Sequence, residues 1–190
     1  LMNWEPRLPR NAEYEGSAMH PLIEVQRKIL HLLSGKRNKL GDLANDIKGP
    51  WSKPIDLKVS GIDPGHIADQ EGNRYLYVDK GEVIRLTADG LTTIGQKQKV
   101  YEGWRYPNHW ETECMCLESP KLNYHNGYYY LTSAQEERAG NKHRQLRPFE
   151  ECHRTWENSP YNPVVHTYSA HDNWWSKGHG TLIDDVNGNW

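Results

Sequence analysis

Three ionisable side chains recur at one position of a repeated sequence pattern. Asp63, Glu118 and His179 each stand nine residues before a glycine that lies in a predicted hairpin turn. The three turn glycines lie 55 and 61 residues apart. Two carboxyl groups and an imidazole can together donate, accept and orient protons. The spacing therefore predicts a reaction site, provided that the fold brings these side chains together.

The distance between the turns indicates which fold would do this. Self-similarity at roughly 50 residues is typical of a β-propeller, in which each repeat is one four-stranded blade. Residues in the same register then occupy the same place in successive blades. We therefore predict an all-β propeller in which Asp63, Glu118 and His179 begin innermost strands and point into one axial pocket.

Short alternating runs between glycine and asparagine turns support the β assignment from about Ile55 onward. In one such run, Ile84 and Leu86 flank the polar Arg85. The spacing leaves room for about three to four blades in 190 residues, too few to close a propeller ring. We expect residues 1–190 to form a single incomplete propeller domain, as part of a longer protein.

Two stretches depart from the alternating pattern. Apolar residues in 21–46 are spaced like one face of a helix, and 136–154 is charged without alternation. We interpret both as irregular or helical stretches, either as insertions or through a local error in the sequence. The second stretch carries basic side chains without interleaved aromatic residues, which disfavours a nucleic-acid interface.

The composition limits the classes of partner. A net charge of −2 gives no reason to expect a polyanionic partner, and no signal peptide or membrane span is visible. The three cysteines, Cys114, Cys116 and Cys152, lack metal-ligand spacing, so we expect plain thiols.

Aromatic residues point to a different kind of ligand. Eight Trp and eleven Tyr stand against a single Phe, and their rings combine an apolar face with a hydrogen-bonding group. Stacking on sugar rings would use that property, whereas packing within and between blades is the alternative. The candidate walls of a sugar subsite precede Glu118 and His179 in the chain: Trp104, Tyr106, His109, Trp110, Trp174 and Trp175.

The carboxylates suggest separate roles. Glu118 is the candidate general acid, and Asp63 is expected to raise the pKa of Glu118 by like-charge repulsion across the axis. The alternative for both residues is that they belong to turn sequences and have no catalytic role. Glu113 is a competing candidate for the acid, although it lies outside the repeat register. His179 would orient a carboxylate, bind substrate or hold a cation, so it is also a candidate metal ligand.

These segments resemble glycoside hydrolase family 43. Coverage is good from 49 to about 135 and from 155 to 190. The likeness rests on three groups of residues, namely Ile62-Asp63-Pro64, Leu117–Leu122 with Asn126–Leu131, and Gly178–Leu182 with Asn187–Trp190. The resemblance implies a five-bladed β-propeller and inverting hydrolysis of arabinose- or xylose-containing plant polysaccharides.

The resemblance also implies roles for individual residues. Glu118 matches the general acid, Asp63 the pKa-modulating and orienting aspartate, and His179 an axial histidine that neighbours calcium in some members. The family's catalytic base would lie before Leu1, and Ser119 stands where a glycine usually follows the acid.

The resemblance also leads to expectations about cofactors and localisation. No cofactor is required, although a structural calcium ion in the axial channel fits the pattern. The substrate class favours a secreted or periplasmic protein. The rival interpretation is a non-catalytic propeller that binds carbohydrate or other partners and tolerates loss of the carboxylates.

Overall fold

A computed structural model of the chain shows an all-β protein. It describes residues 22–25, 28–34, 39–46, 48–105, 107, 116–135, 141–148, 155–166, 171, 173, 178–183 and 185–189. These residues form eleven strands and a short 3₁₀ turn at Asp79–Gly81, all strand pairs being antiparallel. No helix in the described ranges is long and apolar enough to cross a membrane.

The first sheet corrects the prediction that residues 21–46 are irregular or helical. Its four strands are paired in chain order: β1 (Leu22–Val25), β2 (Lys28–Ser34), β3 (Lys39–Ala44) and β4 (Ile55–Asp56). The helix-like spacing arose from adjacent short strands read as one segment. Within β2, Leu30 and Leu32 are both fully buried, which is the two-residue period of a strand.

The second and third sheets follow the same plan. The second contains β5 (Gly65–Ala68), β6 (Arg74–Val78), β7 (Glu82–Leu86) and β8 (Thr93–Lys99), in that order. The third contains β9 (Leu117–His125), β10 (Tyr128–Gln135) and β11 (Asn141–Pro148), with β10 in the middle.

Strand β11 corrects the second irregular or helical assignment, which covered residues 136–154. Residues 141–148 pair along their whole length with β10, from Asn141 opposite Gln135 to Pro148 opposite Tyr128. The backbone ladder defines this strand, so charged side chains without alternation did not reveal it. The rest of that stretch lies outside the described residues.

The three sheets pack face to face through two apolar clusters. Leu76 and Val78 of β6 face the first sheet, where they join Leu30 and Leu57 in one cluster. The intervening Tyr77 belongs to the other cluster, which includes residues of the third sheet. Burial of each such leucine contributes about 1.5–3 kcal/mol to the free energy of unfolding, so the two clusters hold the three sheets together.

The repeated turns have the same hydrogen bonds at two of their three positions. In the first turn, Asp69 Oδ1 accepts the backbone N–H groups of Glu71 (3.0 Å) and Asn73 (2.8 Å). In the third, Asp185 Oδ1 accepts those of Asn187 and Asn189, both at 2.8 Å. These two turns are therefore structural equivalents, as the repeat predicted.

The middle turn is one residue shorter than its counterparts. Asn126 and Gly127 both have positive φ (48° and 84°), as in a two-residue hairpin turn of type I′. Strand β9 carries one extra residue between Glu118 and Lys121, which pair with Ala134 and Thr132 of β10. This β-bulge restores the lost residue, so Glu118 keeps the nine-residue spacing.

Candidate active site

Asp63 and Glu118 are brought together by a close contact between two edge strands. Asp63 lies two residues before β5, and Glu118 is the second residue of β9. A Cβ atom on Gly65 would lie 2.2 Å from the backbone oxygen of Pro120, a separation that real Cβ atoms do not show. Only glycine fits there. The glycine thus permits the approach that joins the two carboxylates.

The three side chains predicted from the repeat converge. One ligand atom from each of Asp63, Glu118 and His179 lies within 4.8 Å of the others. His179 Nε2 is 3.6 Å from Glu118 Oε2, and His179 Nδ1 is 4.0 Å from Asp63 Oδ2. The imidazole therefore stands between the two carboxyl groups.

The two carboxyl groups differ in their access to solvent. The side chain of Asp63 is 5% exposed, that of Glu118 is 23% exposed and that of His179 is 36% exposed. Glu118 is thus open to a bound molecule, whereas Asp63 is buried. Asp63 Oδ2 also accepts the backbone N–H of Ser119 at 3.1 Å, which ties Asp63 to the residue that follows Glu118.

Left-handed backbone conformations mark each of the three segments. Asp63 has φ 50°, Ser119 has φ 50° and His179 has φ 55°. A non-glycine residue pays about 1–2 kcal/mol for this conformation, which persists where surrounding structure enforces it and is frequent at functional sites. The left-handed Ser119 supplies a physical reason why a glycine would suit this position.

Lys121 is a neighbour of Asp63 that the sequence did not reveal. Burial lowers the pKa of the Lys121 ammonium group, and the Asp63 carboxylate acts in the opposite direction. A positive charge thus lies within electrostatic range of the buried aspartate. A single lysine in a strand usually extends into solvent, so no sequence signal pointed to this contact.

Trp104 is held in place by a second residue that the sequence did not single out. Gln135 Oε1 accepts the backbone N–H of Trp104 at 2.9 Å, and Gln135 Nε2 donates to the Trp104 carbonyl at 2.8 Å. Gln135 is 3% exposed and pairs with Leu117, the residue before Glu118. The loop that bears Trp104 is therefore fixed beside the strand that carries Glu118.

The other predicted wall residues and the competing acid belong to segments that the structure does not describe. Tyr106, His109, Trp110, Glu113, Trp174 and Trp175 lie outside the described residues.

The expectation of free thiols is wrong for Cys116, which is disulfide-bonded. Cys116 lies immediately before β9 and two residues before Glu118. Which cysteines approach one another depends on the fold, and their spacing in the sequence does not reveal it.

The cluster also has the chemistry of a cation site. Carboxylate oxygens and imidazole nitrogen are ligand types that divalent metal ions accept. Asp63, Glu118 and His179 form the one group of three such side chains found within the described part of the chain.

Replacing Ser119 tests the strained backbone at the site. We expect Ser119→Gly to raise the free energy of unfolding by about 1 kcal/mol, since it relieves the left-handed φ. It also removes a buried hydroxyl that has no hydrogen-bond partner in the described ranges. Urea unfolding of both proteins measures the difference.

Ser119→Ala is the matched control. It removes the same hydroxyl but keeps the strained φ, so its gain should be smaller than that of the glycine variant. Equal stability of the two variants would show that the backbone conformation costs nothing.

The fold and the similarity to known proteins identify the family of this chain. Antiparallel sheets packed face to face, with two carboxylates and an imidazole clustered beside the edge strands β5 and β9, are the arrangement expected of a β-propeller. The model of the Glycosyl hydrolases family 43 matches residues 42–190. The chain belongs to this family.

Two relatives of known name are longer than this chain. A xylosidase/arabinosidase of Butyrivibrio fibrisolvens is 25% identical over the whole chain, which spans 40% of that relative. A xylan 1,3-beta-xylosidase of a Vibrio species is 27% identical over 77% of the chain and 28% of its own length. The chain thus spans less than half the length of these two relatives.

Solved structures show the same fold. A Bacteroides ovatus GH43B protein from a xyloglucan locus superimposes with a TM-score of 0.71 at 20% identity, over 96% of this chain and 36% of its own. An endo-1,4-beta-xylanase of Bacteroides thetaiotaomicron gives 0.72 at 18% identity, over 94% and 66% respectively.

Proposed function

We propose that the protein is a glycoside hydrolase that acts on arabinose- or xylose-containing plant polysaccharides or oligosaccharides. Family membership supports this, as do the xylosidase and arabinosidase names of its relatives. The observation that carries the proposal is the convergence of Asp63, Glu118 and His179 within 4.8 Å. We further propose that this chain forms part of a five-bladed propeller.

The proposed mechanism is inverting, with Glu118 as the general acid. The partly exposed Glu118 carboxyl would give its proton to the leaving glycosidic oxygen. The buried carboxylate of Asp63, close behind it, disfavours a second negative charge and so favours protonated Glu118. The hydrogen bond from Ser119 N–H holds Asp63 in this position.

An inverting reaction also needs a base that activates water on the opposite face of the sugar. In such enzymes the acid and base stand about 6.5–9.5 Å apart, which leaves room for that water. We propose that the base comes from a segment preceding Leu1, where the family resemblance places it. The activity then belongs to the longer protein.

His179 is proposed to orient the Glu118 carboxyl, and Trp104 to form one wall of the sugar subsite. The mechanism requires no cofactor, and a calcium ion beside His179 would serve structure. Since polysaccharides do not cross membranes freely, we propose that the protein is secreted or periplasmic.

The anomeric configuration of the released sugar tests this function. The full-length protein should hydrolyse xylo- or arabino-oligosaccharides, and proton NMR during the first turnovers should show the configuration opposite to that of the substrate. Retained configuration would contradict the inverting mechanism. Binding of oligosaccharides without product would favour the rival function, a non-catalytic carbohydrate-binding propeller. If the protein neither binds nor cleaves these oligosaccharides, both functions are overturned.

A further inference from the structure

A cavity of about 510 Å³ lies at the opposite end of the β5–β6 hairpin from Asp63. Tyr75 and Tyr129, both buried, contribute from two different sheets, so the cavity opens along the seam between the second and third sheets. Gln96 and Gln98 line it from the outer strand β8. Its volume falls within the range of about 300–1,000 Å³ that is typical of small-molecule sites.

Hydrogen bonds fix the polar groups at one side of this cavity. Asp69 Oδ2 accepts the Tyr75 hydroxyl at 3.2 Å and the Asn73 side-chain amide at 2.7 Å. Asn73 Oδ1 in turn accepts a hydrogen bond from the Arg85 guanidinium group. This hydrogen bond orients the exposed Arg85 side chain at the cavity. Such preorganised donors lower the entropic cost of binding.

The lining indicates the chemical class of the ligand. Its charged side chains are Asp69, Glu71 and Arg85, and this excess of negative charge disfavours an anion. The two carboxylates and the amides of Gln96 and Gln98 disfavour a purely apolar ligand. Amide, guanidinium and carboxylate groups beside aromatic rings suit a neutral molecule that is rich in hydroxyl groups.

We propose that this cavity is a second carbohydrate-binding site, which takes a segment of a pentose-containing oligosaccharide. The choice of pentose rests on the proposed function, whereas the preference for a neutral polyol rests on the cavity itself. The site is separate from the carboxylate cluster, since the whole of strand β5, which rises about 3.3 Å per residue, lies between Asp63 and Asp69. A polysaccharide held there would raise the local concentration of substrate for the reacting site.

Calorimetric titration tests the second site directly. The probe is xylotetraose or arabinotetraose, added to the full-length protein with Glu118→Gln so that no turnover occurs. We expect two binding sites per chain. Arg85→Met combined with Gln98→Ala should remove one of them or weaken it roughly tenfold or more, because hydrogen bonds from a charged donor are lost.

The control is Lys99→Ala, which changes the exposed residue next to Gln98 on the same strand. It should leave both binding events unchanged. The double variant without Glu118→Gln should also hydrolyse a small aryl pentoside at the normal rate, yet lose retention in gels that contain xylan or arabinan. A melting temperature equal to that of the parent protein shows that the variant is folded.

The possible results separate this inference from the proposed function. One binding event per chain that the cavity variants leave intact would overturn the second site, and the hydrolase proposal would stand. Absence of turnover by the unmodified protein would overturn the hydrolase proposal, while the titration would still report on the cavity. Tight binding of inorganic phosphate that competes with the sugar would contradict the neutral-polyol assignment.

Discussion

Glu118→Gln should reduce the hydrolysis of unactivated pentosides by roughly 10²–10⁴-fold, the contribution typical of a positioned general acid. The amide has nearly the same shape as the carboxyl group but cannot protonate the leaving oxygen. Substrates with a dinitrophenolate leaving group need no such proton, so the variant should hydrolyse them at close to the normal rate. Steady-state kinetics on the two substrates in the full-length protein measures this difference.

Two results would remove Glu118 from the acid role. Normal turnover of unactivated substrates by Glu118→Gln is the first. An equal loss on both kinds of substrate is the second, since it would point to a defect in folding or in binding. Glu157→Gln is the matched control because it makes the same change at an exposed glutamate, and it should leave both rates unchanged.

Gly65→Ala should be among the most damaging single substitutions in the described structure. The new methyl group would lie 2.2 Å from the backbone oxygen of Pro120, and a backbone atom cannot rotate away as a side chain can. We expect a loss of about 3 kcal/mol in the free energy of unfolding, near the upper end for overpacking. Urea unfolding of the variant measures this loss.

The same substitution should also impair catalysis. Strands β5 and β9 must separate to admit the methyl group, and this would move Asp63 away from Glu118. A displacement of 1 Å in a reacting group can cost about 100-fold in rate, so the folded fraction of the variant should turn over slowly. Assays well below the melting temperature separate this effect from unfolding.

Gly72→Ala provides the comparison for Gly65→Ala. Gly72 has φ 83°, and a Cβ atom added there would meet nothing within 4 Å. Its alanine variant should therefore lose about 1 kcal/mol through backbone strain alone and keep its activity. If the two variants behaved alike, the close approach of β5 to β9 would not be the feature that joins the carboxylates.

The site depends on one strand contact and one backbone hydrogen bond more than on any long element. Asp63 precedes a strand of the second sheet and Glu118 lies in the third, yet Gly65 permits their approach and the Ser119 N–H group fixes it. Gln135 makes two hydrogen bonds to the backbone of Trp104, which hold the Trp104 loop beside strand β9. A site built this way is sensitive to small residues that make no contact with substrate.

The sequence by itself determined which residues meet and in what kind of fold. The shared spacing of Asp63, Glu118 and His179 from their turn glycines predicted an all-β repeat and the convergence of the three side chains. This worked because strand rise is nearly constant and the bulge in β9 offsets the shorter middle turn, so equal spacing along the chain becomes equal position in space. The family resemblance then supplied the chemistry to be expected from such a cluster.

Only the tertiary structure decided the rest. A two-residue turn at Asn126-Gly127 and a compensating bulge after Glu118 give the same spacing as a longer turn without a bulge, and sequence cannot separate these two solutions. Strand β11 and the pairing of residues 22–44 are defined by backbone hydrogen bonds to the adjacent strands, which leave little trace in side-chain pattern. The electrostatic interaction of Lys121 with Asp63 and the hydrogen bonds of Gln135 with Trp104 join residues that are far apart in the chain. Such interactions depend on how the sheets stack, and the sequence around one residue does not predict which distant residue it will meet.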